Sequence, residues 1–338
     1  MVRDSALEIS GRCGGRPQHG REAGRSSSWL AAAARRTLRL GVRTEPAAWS
    51  CRYPPVIKPS GKRGWCGAWP AGLVAPLLLA GCASAPLEQA STLQSYDRLT
   101  EANGLVTRSR LRVDEAAIRD AKTVQIVPTS FGAGTLRVPL NAEQRRLVAN
   151  AVDRALCAGL SERFQVVGPG QPADLTIRAL VTHVTPTDTL AVGASRGAAI
   201  AKMVLLPGVP VPVPRIPIGM GTLSLEAEAL DLKGDQKAAM IWARGAHMVG
   251  SGRMAVEGDA YTLASEFGYD FSRLLVTGRS PFGQLPALPS AHQISTSLGG
   301  AAASRACEAF GRNPGLVGFM GGQLGLPPGW TDKGAVAR

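Results

Sequence analysis

Two nucleophiles in this chain sit in surroundings that could make them react. At Cys82 the sequence reads Leu79-Ala80-Gly81-Cys82, directly after an apolar run. A thiolate is the reactive form of cysteine, and the small Ala80 and Gly81 leave the backbone open to a peptidase. A thiolate placed there could take up an acyl group, beside a backbone open to cleavage. The second is Ser195, in Gly193-Ala194-Ser195-Arg196-Gly197, which spells G-x-S-x-G. Such a hydroxyl becomes a nucleophile when a strand and a helix flank a strained turn, and an acid and then a histidine follow along the chain. Asp231 or Asp235 with His247 satisfies that order. Both His247 and His183 fall in strand-like runs, where an imidazole is commonly packed or facing solvent. Glu226 and Glu228 share one strand face by period two, which a solvated edge also produces. The chain offers few aromatic residues with which to line a sugar cleft between them.

Of six cysteines, Cys13, Cys51 and Cys66 precede Cys82, so only Cys157 and Cys307 remain in the body of the chain. With no C-x-x-C and no histidine cluster, no metal site is expected. Cys157 lies in an apolar helical run and reads as a small core residue, not a disulfide partner. Phosphate-cradling glycine patterns are missing too, and no cofactor is expected.

The segment before Cys82 explains its position. Lys58, Lys62 and Arg63 precede a mostly apolar run from Ala68 to Gly81, too short to span a bilayer. Charged region, apolar run and small residues come in the order of an export signal. The tetrapeptide Leu79 to Cys82 resembles the lipobox of bacterial lipoproteins. That resemblance implies that residues 56–81 are removed as a signal peptide and that Cys82 carries the lipid of a membrane anchor. Ala83, in place of aspartate, is similar to the sorting pattern that directs such proteins to the outer membrane, facing the periplasm. Residues 82–111 then form a lipidated polar tether. Residues 1–55, rich in Arg, Gly, Ser and Ala, read as an N-terminal extension that is disordered or lies upstream of the true start.

Charge along the chain excludes one class of partner. The formal net charge is +13, but residues 1–81 hold 13 Lys and Arg against 4 Asp and Glu. The remainder is close to balanced, and no basic stripe with interleaved aromatics is left to follow a nucleic acid.

Residues 112–281 read as one α+β domain: a small, mostly antiparallel (mixed) sheet of four to five strands with two long helices on one face. Ala121–Val127 is β-rich and stopped by Pro128. Asn141, with Gln144 at the capping-box position, opens a helix whose Leu147, Val148, Ala151, Val152, Ala155, Leu156 and Leu160 form one apolar face. Phe164–Val167 and Asp174–Val184 flank a turn, and Thr222–Leu232 with Ala238–Val249 form a hairpin around Lys233–Gln236. Asp259 opens a second helix with Leu263, Phe267, Phe271, Leu274 and Leu275 inward, closed by Gly278 and Pro281.

The stretch from Leu93 to Ser280 resembles a bacterial lipoprotein family catalogued as domain of unknown function 3313. The likeness rests on Leu93–Leu99 (LQSYDRL), Ile118–Phe131 (IRDAKTVQIVPTSF), the helix leading into Phe164–Val167, and the strand ADLTIRALVTHV followed by the hairpin. The resemblance implies location and fold, and no activity.

Two stretches depart from a plain layer. Val192–Leu206 is small and apolar, and it runs into an arm of Pro207, Val209, Pro210, Val211, Pro212, Val213 and Pro214 that excludes helix and removes ladder donors. A stiff arm of this kind either docks on another envelope protein or the lipid interface, or covers its own sheet. Residues 282–338, rich in Gly, Ala and Pro, read as a flexible tail. The function expected is that of an outer-membrane-anchored periplasmic lipoprotein acting as a non-enzymatic binding or assembly component. Two alternatives remain open: a serine hydrolase using Ser195, and a carrier holding a lipid or other apolar ligand between sheet and helices.

Overall fold

The computed structural model describes residues 85–205, 215, 218–248, 252–283, 291–300, 304–332 and 334. Cys82, Gly81 and the whole of Pro207–Pro214 lie outside these residues.

The architecture is α+β, with a mixed sheet of eight strands and seven α-helices among the described residues, the first a short helix α1 (Glu115–Asp120). The sheet is larger than the periodicity suggests, because Thr100–Glu101 and Ser130–Phe131 carry too few residues to show a pattern and Thr107–Val113 falls largely in the stretch read as a tether. Its members are β1 (Thr100–Glu101), β2 (Thr107–Val113), β3 (Thr123–Ile126), β4 (Ser130–Phe131), β5 (Gln165–Val167), β6 (Leu175–Thr185), β7 (Thr222–Asp231) and β8 (Gln236–Gly245). The order is β1-β2-β8-β7-β6-β3-β5, with β4 also on β6. From β1 to β6 neighbours are antiparallel, while β3, β4 and β5 add parallel pairings.

Two long helices, α2 (Ala142–Leu160) and α4 (Gly258–Thr277), cover one face. Both form where apolar side chains recur at helical spacing. At the start of α2 the Gln144 backbone N–H donates to Asn141 Oδ1 at 2.8 Å and the Asn141 N–H donates to Gln144 Oε1 at 2.9 Å, completing the capping box. α4 ends at Gly278, whose φ of 67° suits glycine. The helices approach closely because Gly268 faces α2: a Cβ there would lie 2.6 Å from Ala155 Cβ. Beneath them Trp242, Phe267 and Phe271 are fully buried, with Trp242 and Phe267 edge to face at 5.7 Å.

Burial also perturbs charge in this layer. Asp153 on α2 accepts from the backbone and hydroxyl of Thr129, yet loss of hydration dominates and pushes its carboxyl up to about 7. In the unfolded chain the same group titrates near 4. Between those values the folded protein holds a proton that the unfolded chain has released, so stability falls as pH rises through this window. Each pH unit contributes at most about 1.4 kcal/mol. Unfolding free energy measured from pH 4 to pH 8 should show that decline, and Asp153→Asn should flatten it.

Three expectations are corrected here. Residues 85–111 are not a free tether: Ala85, Leu93, Leu99 and Leu111 are buried, and β1 and most of β2 are built from this stretch. Residues beyond Phe282 are not simply a flexible tail. They carry α5 (Ala291–Ser297), a 3₁₀ turn (Arg305–Phe310), α6 (Gly315–Leu324) and α7 (Pro328–Thr331). Cys157 is a disulfide partner, joined to Cys307 across a sequence separation of 150 residues. The bond is compatible with the apolar helix because both cysteines are buried, so the same burial that makes Cys157 look like core conceals its partner.

Candidate functional site

The face of the sheet opposite α2 and α4 is where the sequence-derived carboxylates sit. Glu226 and Glu228 project from β7, which is a central strand and not a solvated edge, and they are 1% and 3% exposed. A strap formed by residues 85–99 lies over them. Glu226 accepts hydrogen bonds from the backbone N–H groups of Ala90 and Thr92, both at 3.2 Å, from the Thr92 hydroxyl, and from the Tyr96 hydroxyl at 2.8 Å. Glu228 accepts from the Gln94 N–H at 2.7 Å and from Gln236 Nε2 at 2.9 Å. Further toward the other end of the face, Ser224 donates to the Pro86 carbonyl at 2.6 Å and His183 Nδ1 meets Glu88 at 3.0 Å.

The strap has no ladder of its own over this stretch, so its N–H groups need other acceptors, and the two carboxylates supply them. Leu93 and Leu99 pack on Ala239 and Ile241 of β8, with Leu87 and Tyr96 alongside. In register across the sheet, Arg112 of β2 and Arg178 of β6 flank Glu228 and Ala239. The pair is therefore a binding site for the protein's own chain. Burial raises the Tyr96 phenol above its ordinary range, so it remains a donor to Glu226.

The nucleophile reading of Ser195 meets a different geometry. Ser195 lies within α3 (Thr189–Leu205), buried, and its hydroxyl donates to the Ala191 carbonyl at 2.8 Å. The strained strand-to-helix turn of an elbow is not formed there. His247, just after β8, is held 2.8 Å from Glu266 and 3.1 Å from Arg244. Asp231 pairs with Lys237 at 3.1 Å, at the hairpin end of β7. That is roughly 30 Å along the strand from Thr222, whose partner Gly245 precedes His247. The acid, the base and the hydroxyl are not assembled as a triad.

Four arginines missed by the sequence reading fasten the C-terminal segment and the sheet end. Arg154 on α2 meets Asp332 with both terminal nitrogens, and the Tyr261 hydroxyl donates to the same carboxylate at 2.7 Å. Arg215 forms a fork on Asp259 at 2.8 and 3.0 Å. Arg253 donates to the Gly318 carbonyl at 3.0 Å, and Arg196 to those of Gly252, Gly322 and Gln323. Only the Arg-to-carboxylate chemistry of such forks could have signalled them, since their partners are remote in sequence. Asp332→Ala leaves Arg154 buried without its counter-charge, and should cost about 3 kcal/mol in chemical denaturation.

Two cavities of about 230 and 280 Å³ lie between α4 and the C-terminal helices, both lined by Arg253, Thr262 and Phe319. Between sheet and helices, Leu223, Leu225, Trp242, Leu263, Phe267 and Phe271 are buried in one core. Among the described residues no three His, Cys, Asp or Glu side chains gather as a metal site, and no helix is long and apolar enough to cross a membrane.

A family described as "Protein of unknown function (DUF3313)" matches residues 88–271, from the strap into α4. The chain belongs to the DUF3313 family. No curated protein matches it. Among solved structures it is similar to the PelC dodecamer from Paraburkholderia phytofirmans, with 10% identity and a TM-score of 0.30 over 52% of this chain and 99% of that one. A variant of the same PelC matches with 11% identity and a TM-score of 0.27, over 48% and 95%. The DUF3313 match begins within the strap and stops before α5, so the disulfide at Cys157 reaches outside the matched region.

Proposed function

We propose that this DUF3313 protein is a lipid-anchored envelope component, acylated at Cys82 and facing the periplasm from the outer membrane, which acts by binding or assembly and not by catalysis. The observation that carries this reading is the Cys157–Cys307 disulfide, because such bonds persist in oxidising compartments and are rare in the cytosol. It agrees with the signal-like run before Cys82. A non-catalytic role is supported by the distance of Asp231 from His247, by Ser195 lying within a helix with its hydroxyl on the Ala191 carbonyl, and by carboxylates already occupied by the strap. The carrier reading draws on the two cavities, although Arg154, Arg253 and Glu266 in their walls favour a ligand with polar groups.

Palmitate labelling of cells producing the full chain tests the anchor. Label should appear on the mature protein, and Cys82→Ser should abolish it and leave the precursor uncut. Unlabelled wild type, or Cys82→Ser protein processed normally, overturns the anchor. Crosslinking pull-down from intact envelopes, with and without Pro207–Pro217, tests partner docking, and an identical set of captured proteins counts against it.

A further inference from the structure

Among the described residues, two helices have exposed apolar faces. On α3, Leu190, Ile200, Val204 and Leu205 are exposed, from 62% to 83%. On α6, ten residues contain no charged side chain, and Leu316, Val317, Phe319, Met320 and Leu324 are exposed at 55% or more. The two helices are tied together: Arg196 of α3 donates to the Gly322 and Gln323 carbonyls of α6, and Met254 N–H donates to Gly325 just beyond it.

Both helices attach at one end of the sheet. α3 begins just after β6 ends at Thr185, which pairs with Thr222 at the start of β7, which in turn pairs with Gly245 at the end of β8. Phe319 of α6 shares a cavity wall with Ala246 and His247, the residues that follow Gly245. The strap starts at the same end, where Ser224 holds Pro86 and Ala85 is buried.

Cys82 is three residues before Ala85. Three residues of fully extended chain reach roughly 10 Å. An acylated Cys82 therefore cannot stand away from the domain: the bilayer surface must come close to that end of the sheet. We infer that the exposed faces of α3 and α6 are a second membrane contact, lying in the lipid interface beside the anchor. The inference rests on the reading of Cys82 as the acylated residue. Interfacial helices bury an apolar face a few ångströms into the headgroup boundary without spanning. Neither α3 nor α6 is long enough to cross. The two or three acyl chains of a lipoprotein cysteine give a stable anchor, and added apolar area strengthens attachment in proportion.

The test places a photo-crosslinking residue singly at Leu205, at Phe319 and at Leu232 in the full chain, expressed in a Gram-negative envelope and irradiated in intact cells. Leu232 is the control: it is 73% exposed, as apolar as the others, and lies in the β7–β8 turn at the opposite end of the sheet. Expected is several-fold more phospholipid adduct at 205 and 319 than at 232. Equal adduct at all three, or crosslinks at 205 and 319 to a second copy or another protein in place of lipid, overturns the inference. Palmitate labelling in the same cells separates this from the anchor. Labelled protein without the lipid contrast sinks the membrane face alone, and unlabelled protein sinks the anchor and, with it, a membrane contact placed beside that anchor.

Discussion

Removing the Cys157–Cys307 bond is expected to lower unfolding free energy by about 5 kcal/mol, the chain-entropy value for a closed loop of this size. The loop spans a sequence separation of 150 residues, and it contains β5 to β8, α3 and α4. A domain of ordinary stability has 5–15 kcal/mol in total, so the loss is a third or more of it. The effect should be local as well as global. Cys307 sits in the 3₁₀ turn with Phe310, and both join the core beneath α2. Without the covalent link that turn is held by Ser304 on the Val166 carbonyl and by apolar contact. Urea unfolding of the wild type with and without reductant, beside Cys157→Ala/Cys307→Ala, measures the loss. Coincident midpoints would remove the disulfide from the account of stability and weaken the case for export with it.

The long periodic elements were legible in the sequence. α2, α4 and the β7–β8 hairpin carry enough regularly spaced apolar residues for one face to be read directly, and Asn141 with Gln144 marks a helix start by local chemistry alone. What failed shares one physical cause, which is that the partner lies far along the chain. Glu226 and Glu228 alternate in the same way whether their strand is central or at an edge, and only the neighbours β6 and β8 decide it. The strap residues Leu87, Leu93, Tyr96 and Leu99 follow neither helical nor strand spacing, because their segment is fitted to another surface and its N–H groups find side-chain acceptors. The segment beyond Phe282 is rich in glycine and alanine, yet Arg154, Arg253 and Cys157 hold it from outside. Cys82 and the proline arm were read from motif chemistry, and they lie outside the described residues.

Glu226→Ala should release the strap. The substitution deletes the acceptor for two backbone N–H groups and two hydroxyls at once, on the buried face of a central strand. Hydrogen bonds to a charged group contribute about 1.5–3 kcal/mol each, but four on one carboxylate are strongly non-additive, so a loss of roughly 4 kcal/mol is expected. Glu226→Gln keeps one oxygen acceptor and turns the other position into a donor facing donors, so it should weaken the strap less than alanine does. Hydrogen exchange read peptide by peptide distinguishes release from general unfolding. Protection should fall over residues 85–99 while α2 and α4 keep theirs, and proteolysis should cut first within the strap. The functional consequence follows from chain length. With the strap docked, two residues separate Cys82 from Ala85; with it released, the leash of the proposed anchor extends to about β1 and would let the sheet end move tens of ångströms from the bilayer. Lipid crosslinking at Leu205 should then drop toward the level at Leu232 even though Cys82 still carries its label. If crosslinking persists at full strength in a strap-released protein, α3 and α6 hold the membrane unaided, and the strap serves the fold alone.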